Sequence, residues 1–143
     1  MAKINKAIVI NAPVEKVFGY LDEPTNLPEI WPSLVETTEV KRLPNGGNFY
    51  RWTYKMAGLR FNGTSEDIEW VVNQRIVNQN KGGIDSTITW TFEPQGEGTK
   101  FTAEVEYKVP VPLIGRIAEA TIVKMNEHET EVFGANLKAR MEE

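Results

Sequence analysis

The stretch "KMNEHETEVF", residues 124–133, contains the only histidine of the chain, His128, directly followed by Glu129. On a helix, a His-Glu pair binds zinc when a second histidine follows four residues later, because the two imidazoles converge on one ion while the glutamate activates water. Val132 occupies that position. A di-iron site would need a carboxylate three residues before the histidine, where Met125 stands. The sequence therefore predicts no metal site and no other cofactor, with His128 at the surface.

Glu129 is the ionisable side chain that the sequence favours for a functional role. At about 100° per residue it lies close to the centre of the apolar stripe of a predicted helix. A carboxylate there lies in water at the mouth of a cavity, is paired with a base such as Arg51, or belongs to a ligand site. The acidic run of Glu66, Asp67 and Glu69 is more typical of the exposed face of a strand.

Composition indicates a single globular domain over residues 1–143, with 41% hydrophobic and 25% charged residues. A net charge of −4 and the lack of any Lys/Arg run predict no nucleic-acid partner. The absence of cysteine excludes disulfides, thiol catalysis and Cys-ligated zinc. No apolar run approaches the roughly 20 residues of a membrane span, and the start "MAKINKAIVI" does not resemble a signal peptide. We therefore expect a cytoplasmic protein.

The N-terminal quarter predicts a strand followed by two short helices. Residues 3–10 alternate and are rich in β-branched side chains. Asn11 is placed to cap the first helix, with Pro13 near its first turn. Three prolines then limit the chain to one more short helix near residues 25–31.

From Val35 to Val109 the hydrophobic period is two, and Gly-rich turns separate six segments. This pattern predicts an antiparallel meander, with a kink or bulge at Gly63. Parity predicts that one sheet face is apolar and aromatic and the other polar. The predicted apolar positions are Tyr50, Trp52, Tyr54, Met56, Ile84, Ile88, Trp90, Phe92, Phe101, Ala103, Val105, Tyr107 and Val109.

The period returns to 3.6 after Pro112 and predicts a helix from Leu113 to Met141. Its predicted apolar stripe is Ile114, Ala118, Ile122, Met125, Val132 and Phe133, and Gly134 is placed on the outer side. Laying this helix across a strongly curved sheet leaves space at one end. Apolar walls around such a space are typical of a small-molecule site.

At this point the chain resembles a known family, the START-like or SRPBCC helix-grip superfamily, in its polyketide cyclase/dehydrase-like branch. "INAPVEKVFGYLDEPTNLPEIWPSL" is similar to the opening of that family, where I-x-A-P-x-E-x-V-F leads into two short helices. "GGIDSTITWTFEPQGEGTKFTAEVEYKVP" is similar to its penultimate hairpin. The resemblance implies an α+β helix-grip fold, with a curved antiparallel sheet of about seven strands wrapped around the C-terminal helix. These motifs mark packing and turns, so they are nearly silent on function.

The resemblance also implies a deep cavity between sheet and helix for a small hydrophobic or amphipathic ligand such as a lipid, sterol or polyketide. The residues we expect to line it are Trp31, Trp52, Tyr54, Trp70, Ile88, Trp90, Val105, Ile122, Met125, Glu129 and Val132. For each aromatic the competing interpretation is plain core packing.

Two classes of function remain open on the sequence. The first is a binding protein that sequesters or transports such a ligand, which the absence of a recognisable nucleophile, metal constellation or phosphate loop supports. The second is a cyclase or dehydratase that uses a cavity carboxylate or tyrosine as general acid/base. Docking on a partner protein is possible but is not indicated.

Overall fold

Seven antiparallel strands form one curved sheet in the spatial order β1-β7-β6-β5-β4-β3-β2. The computed structural model describes residues 2–56, 58–108 and 119–143. The strands are β1 Ala2–Ile10, β2 Leu34–Arg42, β3 Asn48–Met56, β4 Leu59–Val71, β5 Arg75–Gly82, β6 Ser86–Gln95 and β7 Gly98–Tyr107. The helices are α1 Val14–Leu21, α2 Leu27–Ile30 and α3 Glu119–Met141. The expected helix-grip architecture is confirmed.

Side-chain alternation explains the strands. In β3, Tyr50, Trp52 and Met56 are buried, whereas the intervening Arg51 and Lys55 are exposed. Successive side chains of a strand point to opposite faces, so one face packs inward and the other meets water. The predicted parity of the meander is confirmed for its described positions, and Val109 lies outside the described residues.

Two short helices follow β1, as predicted. Val14, Val17, Phe18 and Leu21 form the buried side of α1, and Pro24 opens a 3₁₀ turn, Pro24–Asn26, that leads into α2. The predicted cap was wrong. Pro13 holds the N-cap position with an extended backbone and no side-chain cap bond. Asn11 lies too early and instead donates its backbone N–H to Glu142 at 2.8 Å.

The predicted bulge was placed at the wrong residue of β4. Gly63 is regularly paired with Trp52 of β3 and Gly82 of β5. The register shifts instead between Asp67 and Glu69. A side chain does not fit at position 63, because an added Cβ would lie 2.3 Å from Cζ2 of Trp52.

Helix α3 turns a mixed stripe towards the sheet. Its buried residues are Ile122, Phe133, Leu137 and Met141. The predicted inward position of Met125 was wrong, because its side chain is 48% exposed. Gly134 was likewise misplaced, since it is half-buried and faces Ile8 of β1. The predicted first turns from Leu113, with Ile114 and Ala118, lie outside the described residues.

Aromatic rings link the helices to the sheet through the core. The indole of Trp90 stacks on Phe133 of α3, with ring centroids 5.9 Å apart. Further ring contacts run from Trp31 to Phe133, from Trp90 to Phe101, from Phe101 to Phe92, from Phe92 to Phe18, and from Phe18 to Trp70. Within the described ranges, no helix combines the length and apolar character of a membrane crossing.

Candidate functional site

A cavity of about 90 Å³ lies between the inner face of the sheet, the segment that joins α2 to β2, and α3. A water molecule needs roughly 10–15 Å³ of such space, so the cavity has room for a small organic group. The described apolar residues that line it are Ile4, Trp31, Leu34, Trp52, Met56, Ile84, Ile88 and Val105.

Polar side chains also reach this cavity, and their number is high for an apolar interior. They are Tyr50, Tyr54, Asn80, Ser86, Tyr107, Asn126, Glu129 and Thr130. Apolar walls with a few polar groups are typical of small-molecule sites, because the polar groups fix the orientation of a bound molecule.

A polar row crosses the inner face of five strands. Register pairs Tyr107 with Ser86, Ser86 with Asn80, Asn80 with Ser65, and Ser65 with Tyr50. The Asn80 amide donates to the Ser86 hydroxyl at 3.0 Å. The inner face therefore carries Ser65, Asn80 and Ser86 in addition to the apolar and aromatic residues that were predicted for it.

Asn126 of α3 hydrogen-bonds to two strands of the sheet that are not neighbours, β7 and β3. Its amide nitrogen donates to the hydroxyl of Tyr107 on β7 at 3.0 Å, and its amide oxygen accepts from the hydroxyl of Tyr54 on β3 at 3.5 Å. One side chain of the helix thus holds two phenols at the cavity wall.

Glu129 lies one turn from Asn126, and its carboxylate lines the same cavity. Its Oε1 accepts the backbone N–H of Ser33 at 2.6 Å, which ties the segment between α2 and β2 to α3. Arg51, the partner considered from the sequence, instead forms an exposed ion pair with Glu39. Among the described residues, Oε2 of Glu129 has no hydrogen-bond partner.

Both buried phenols on β3 hold their protons more tightly than a tyrosine in water. Burial raises the pKa of Tyr54, and the charge of Glu129 raises it further. Burial also raises the pKa of Tyr50, against a smaller opposing effect of a hydrogen bond with Ser65. At neutral pH the site therefore presents phenols beside a carboxylate.

Asp67 is buried outside the cavity, in contrast to the expected exposed face. Its Oδ2 accepts from the backbone N–H of Asn48 at 2.7 Å, and its Oδ1 accepts from the Asn78 amide at 2.8 Å. Burial raises the pKa of Asp67, and these hydrogen bonds oppose the rise. Glu66 and Glu69 on the same strand are exposed, as expected.

The structure brings together six of the eleven predicted site residues, namely Trp31, Trp52, Tyr54, Ile88, Val105 and Glu129. The other five do not line the cavity. Trp70 packs edge-on against Phe18 and donates its N–H to Asp22, and Trp90 stacks on Phe133. Ile122 is buried outside the lining, Val132 is half-buried on the flank of α3, and Met125 is exposed.

The prediction missed polar lining residues, and two sequence signals pointed to them. Tyr50 and Tyr107 already lay on the predicted inner face. Asn126 follows Ile122 by four residues and precedes Glu129 by three, so helical spacing alone places it inward. The prediction followed only the apolar residues of α3, so its expected inward stripe was centred away from Asn126.

His128 is exposed on α3. Within residues 2–56, 58–108 and 119–143, no group of three or more His, Cys, Asp or Glu side chains is placed to hold a metal ion. The prediction that His128 is not a metal ligand stays a prediction.

Comparison with protein families gives a match over residues 1–142 to the family described as polyketide cyclase/dehydrase and lipid transport. The chain belongs to this family. The predicted relationship to the polyketide cyclase/dehydrase family is confirmed. Membership supports a ligand-binding or cyclase-type function in general. Among curated proteins, no sequence matches this member of the family.

Solved structures share the fold of this polyketide cyclase/dehydrase family member. TTHA0849 from Thermus thermophilus is 23% identical, with a TM-score of 0.76 over 97% of this chain and 96% of that one. A START superfamily protein from Mycobacterium smegmatis is 17% identical, with a TM-score of 0.75 over 99% and 98%. The ZhuI aromatase/cyclase from Streptomyces sp. R1128 is 16% identical, with a TM-score of 0.70 over 94% and 92%.

Proposed function

We propose that this protein binds a small, largely apolar molecule that carries a few hydrogen-bonding groups, in the cavity between the sheet and α3. The observation that carries the proposal is the lining itself, in which eight apolar residues surround space not filled by the core. Removing apolar ligand surface from water into such walls drives binding.

The polar groups support an amphipathic rather than a purely hydrocarbon ligand. A carboxylate and several hydroxyl and amide groups in an apolar wall lose hydration, and a ligand that bonds to them restores it. Oε2 of Glu129 is available for a ligand donor. The family description, which includes lipid transport, supports a lipid, sterol or polyketide as the natural ligand, with one apolar part of it inside the cavity.

Binding of N-phenyl-1-naphthylamine tests the proposal. We expect one probe per protein, quenching of tryptophan emission from Trp31 and Trp52, and displacement by fatty acids or sterols. Val105→Phe adds bulk to the cavity wall and should weaken binding at least tenfold. Met125→Phe adds a ring on the exposed side of α3 and should leave binding unchanged. Equal effects of the two variants would contradict the proposal, because the probe would then lie elsewhere.

A cyclase or dehydratase is the second candidate function. The presence of Tyr54 and Glu129 in the lining of one cavity favours it. A phenol that keeps its proton beside a carboxylate provides both an acid and a base in one cavity. The aromatase/cyclase among the similar structures also supports this candidate. Native mass spectrometry of a co-purified molecule separates the two functions. A bound molecule that loses water over time in wild type, but not in Tyr54→Phe, indicates catalysis, and an unchanged mass indicates binding.

A further inference from the structure

The indole of Trp52 packs on Gly63 of β4, a contact that we call its glycine seat. It pairs with Gly63 on β4, and Gly63 pairs with Gly82 on β5, so no side chain stands beneath the indole on these strands. A Cβ on Gly63 would lie 2.3 Å from Cζ2 and 2.7 Å from Cη2 of the indole. The ring therefore packs directly on the backbone of β4, and this contact fixes its orientation.

The indole N–H of Trp52 is buried without a hydrogen-bond partner. Trp52 is 7% exposed, and among the described residues its Nε1 is the one buried side-chain nitrogen or oxygen that lacks a partner. Trp70 differs in this respect, since its indole N–H donates to Asp22 at 3.0 Å. Because the glycine seat holds the ring, this donor cannot turn to find a partner in the protein.

An orphaned donor is unfavourable, so its presence in a ligand cavity is informative. A buried N–H left unsatisfied costs about 1–3 kcal/mol. Phenylalanine or leucine would fill apolar space at position 52 without that cost. Trp52 lines the cavity proposed above as the binding site and also a pocket beside Gly63 and Gly82. A molecule bound in the cavity lies against Trp52 and can supply the missing acceptor.

We propose that the ligand presents a neutral oxygen acceptor, such as a ketone or ester carbonyl, to the indole N–H of Trp52. An indole N–H only donates, which excludes an amine or another donor as its partner. The carboxylate of Glu129 in the same lining disfavours an anionic acceptor. The inference rests on the proposed function, and it makes Trp52 a specificity-determining residue that selects carbonyl-bearing ligands over hydrocarbons of equal shape.

Two aromatic probes of nearly equal shape test the inference. 2-Acetylnaphthalene carries a carbonyl, and 2-isopropenylnaphthalene replaces that oxygen with a methylene group. The readout is the ratio of the two affinities for each protein variant. The free energy of transferring each probe from water is the same for all variants, so it cancels when their ratios are compared. We expect Trp52→Phe to reduce the preference for the acetyl probe by about threefold to tenfold, the effect of one lost hydrogen bond.

Trp90→Phe is the matched control, because Trp90 is equally buried but stacks on Phe133 outside the cavity lining. It should leave the affinity ratio unchanged, whatever it does to stability. If Trp52→Phe does not fold, 3-benzothienylalanine at position 52 keeps the ring shape and replaces N–H with sulfur. That protein should lose the same preference and melt no lower than wild type, since the orphaned donor is gone.

The outcomes separate the two proposals. Failure of both probes to bind wild type would overturn the proposed function and this inference with it. Binding of both probes with a ratio that Trp52→Phe or the benzothienyl protein leaves unchanged would overturn the inference alone.

Discussion

At Glu129, one carboxylate oxygen is used for a contact within the protein. Oε1 holds the Ser33 backbone N–H, while Oε2 has no hydrogen-bond partner among the described residues and belongs to a side chain of the cavity lining. The sequence left three environments open for the Glu129 carboxylate. One of them, pairing with Arg51, is excluded because Arg51 forms an ion pair with Glu39. The remaining question is whether the carboxylate binds a ligand.

Glu129→Gln should weaken the binding of 1-naphthylmethylamine about tenfold and leave 1-ethylnaphthalene unaffected. The reason is that a cationic amine gains a charge-assisted hydrogen bond from the carboxylate that an amide cannot match. The variant should also lose about 1 kcal/mol of unfolding free energy, because its bond to Ser33 becomes a neutral one.

Isothermal titration with both probes and urea unfolding measure these effects. Glu127→Gln is the control, since Glu127 is half-buried on the same helix but does not line the cavity. An identical loss of amine affinity in both variants would show a general charge effect and no contact with Glu129.

Among the elements, α3 shows most clearly where sequence patterns predict the inward-facing side chains and where they do not. Alternation in β3 and β7 predicted their inner faces, because those faces meet the core along their length. Two inward residues in the middle of α3 were missed, because Asn126 and Thr130 face a cavity rather than the core. Hydrophobicity does not predict the orientation of a helix where the helix borders a cavity with polar lining residues. Asp67 was missed for another reason, since both of its partners come from other strands.

Two glycines in different elements should respond to alanine in opposite directions. At Gly134 of α3 an added Cβ meets Ile8 at 4.0 Å, an ordinary contact. Gly134→Ala should therefore raise the unfolding free energy by about 0.5–1 kcal/mol, the difference in helix propensity. Gly63→Ala should lower it by at least about 1–3 kcal/mol through overpacking against Trp52 and the carbonyl oxygen of Lys81.

Urea unfolding of both glycine variants checks this pair of predictions. Destabilisation by Gly134→Ala would show that α3 packs more closely on β1 than the 4.0 Å separation implies. A neutral Gly63→Ala would mean that the indole of Trp52 is not held by its glycine seat.

On the scale of the whole molecule, a polar cluster that is buried at Asn48 and Asp67 joins α1 to three strands. Asp22 at the end of α1 accepts from Asn48 of β3 and from Arg42 of β2, and Asn48 donates its backbone N–H to Asp67 of β4. The two carboxylates share one asparagine, and Arg42 is the basic group beside them. The charge of Asp67 is therefore held by amides, and no cation among the described residues contacts it directly.

The contribution of Asp67 to the unfolding free energy should become less favourable as the pH rises. Its folded pKa is raised above the ordinary value of 3.8, so above that value the unfolded chain releases a proton that the native protein retains. The unfavourable contribution grows until the pH passes the folded pKa and is constant beyond it. Relative to Asp67→Asn, wild type should lose unfolding free energy over this window.

Unfolding by urea between about pH 3.5 and pH 7 measures the difference between the two proteins. Asp22, Arg42 and the amides of Asn48 and Asn78 are present in both, so their titration and contacts largely cancel. A difference that grows in favour of wild type as pH rises would show instead that the hydrogen bonds outweigh burial and lower the folded pKa.

The pairing of β1 with β7 has a consequence for how the chain folds. Ala2 lies opposite Tyr107, and Lys138 of α3 donates to the carbonyl of Val9, so the first strand is completed only by segments about a hundred residues later. Such non-local contacts place folding in the millisecond-to-second range rather than the microsecond range of helical bundles. Until β1 and β7 meet, each presents an unpaired edge to solvent. Refolding at high protein concentration should therefore lose material to aggregation at this stage, before the helix closes over the cavity.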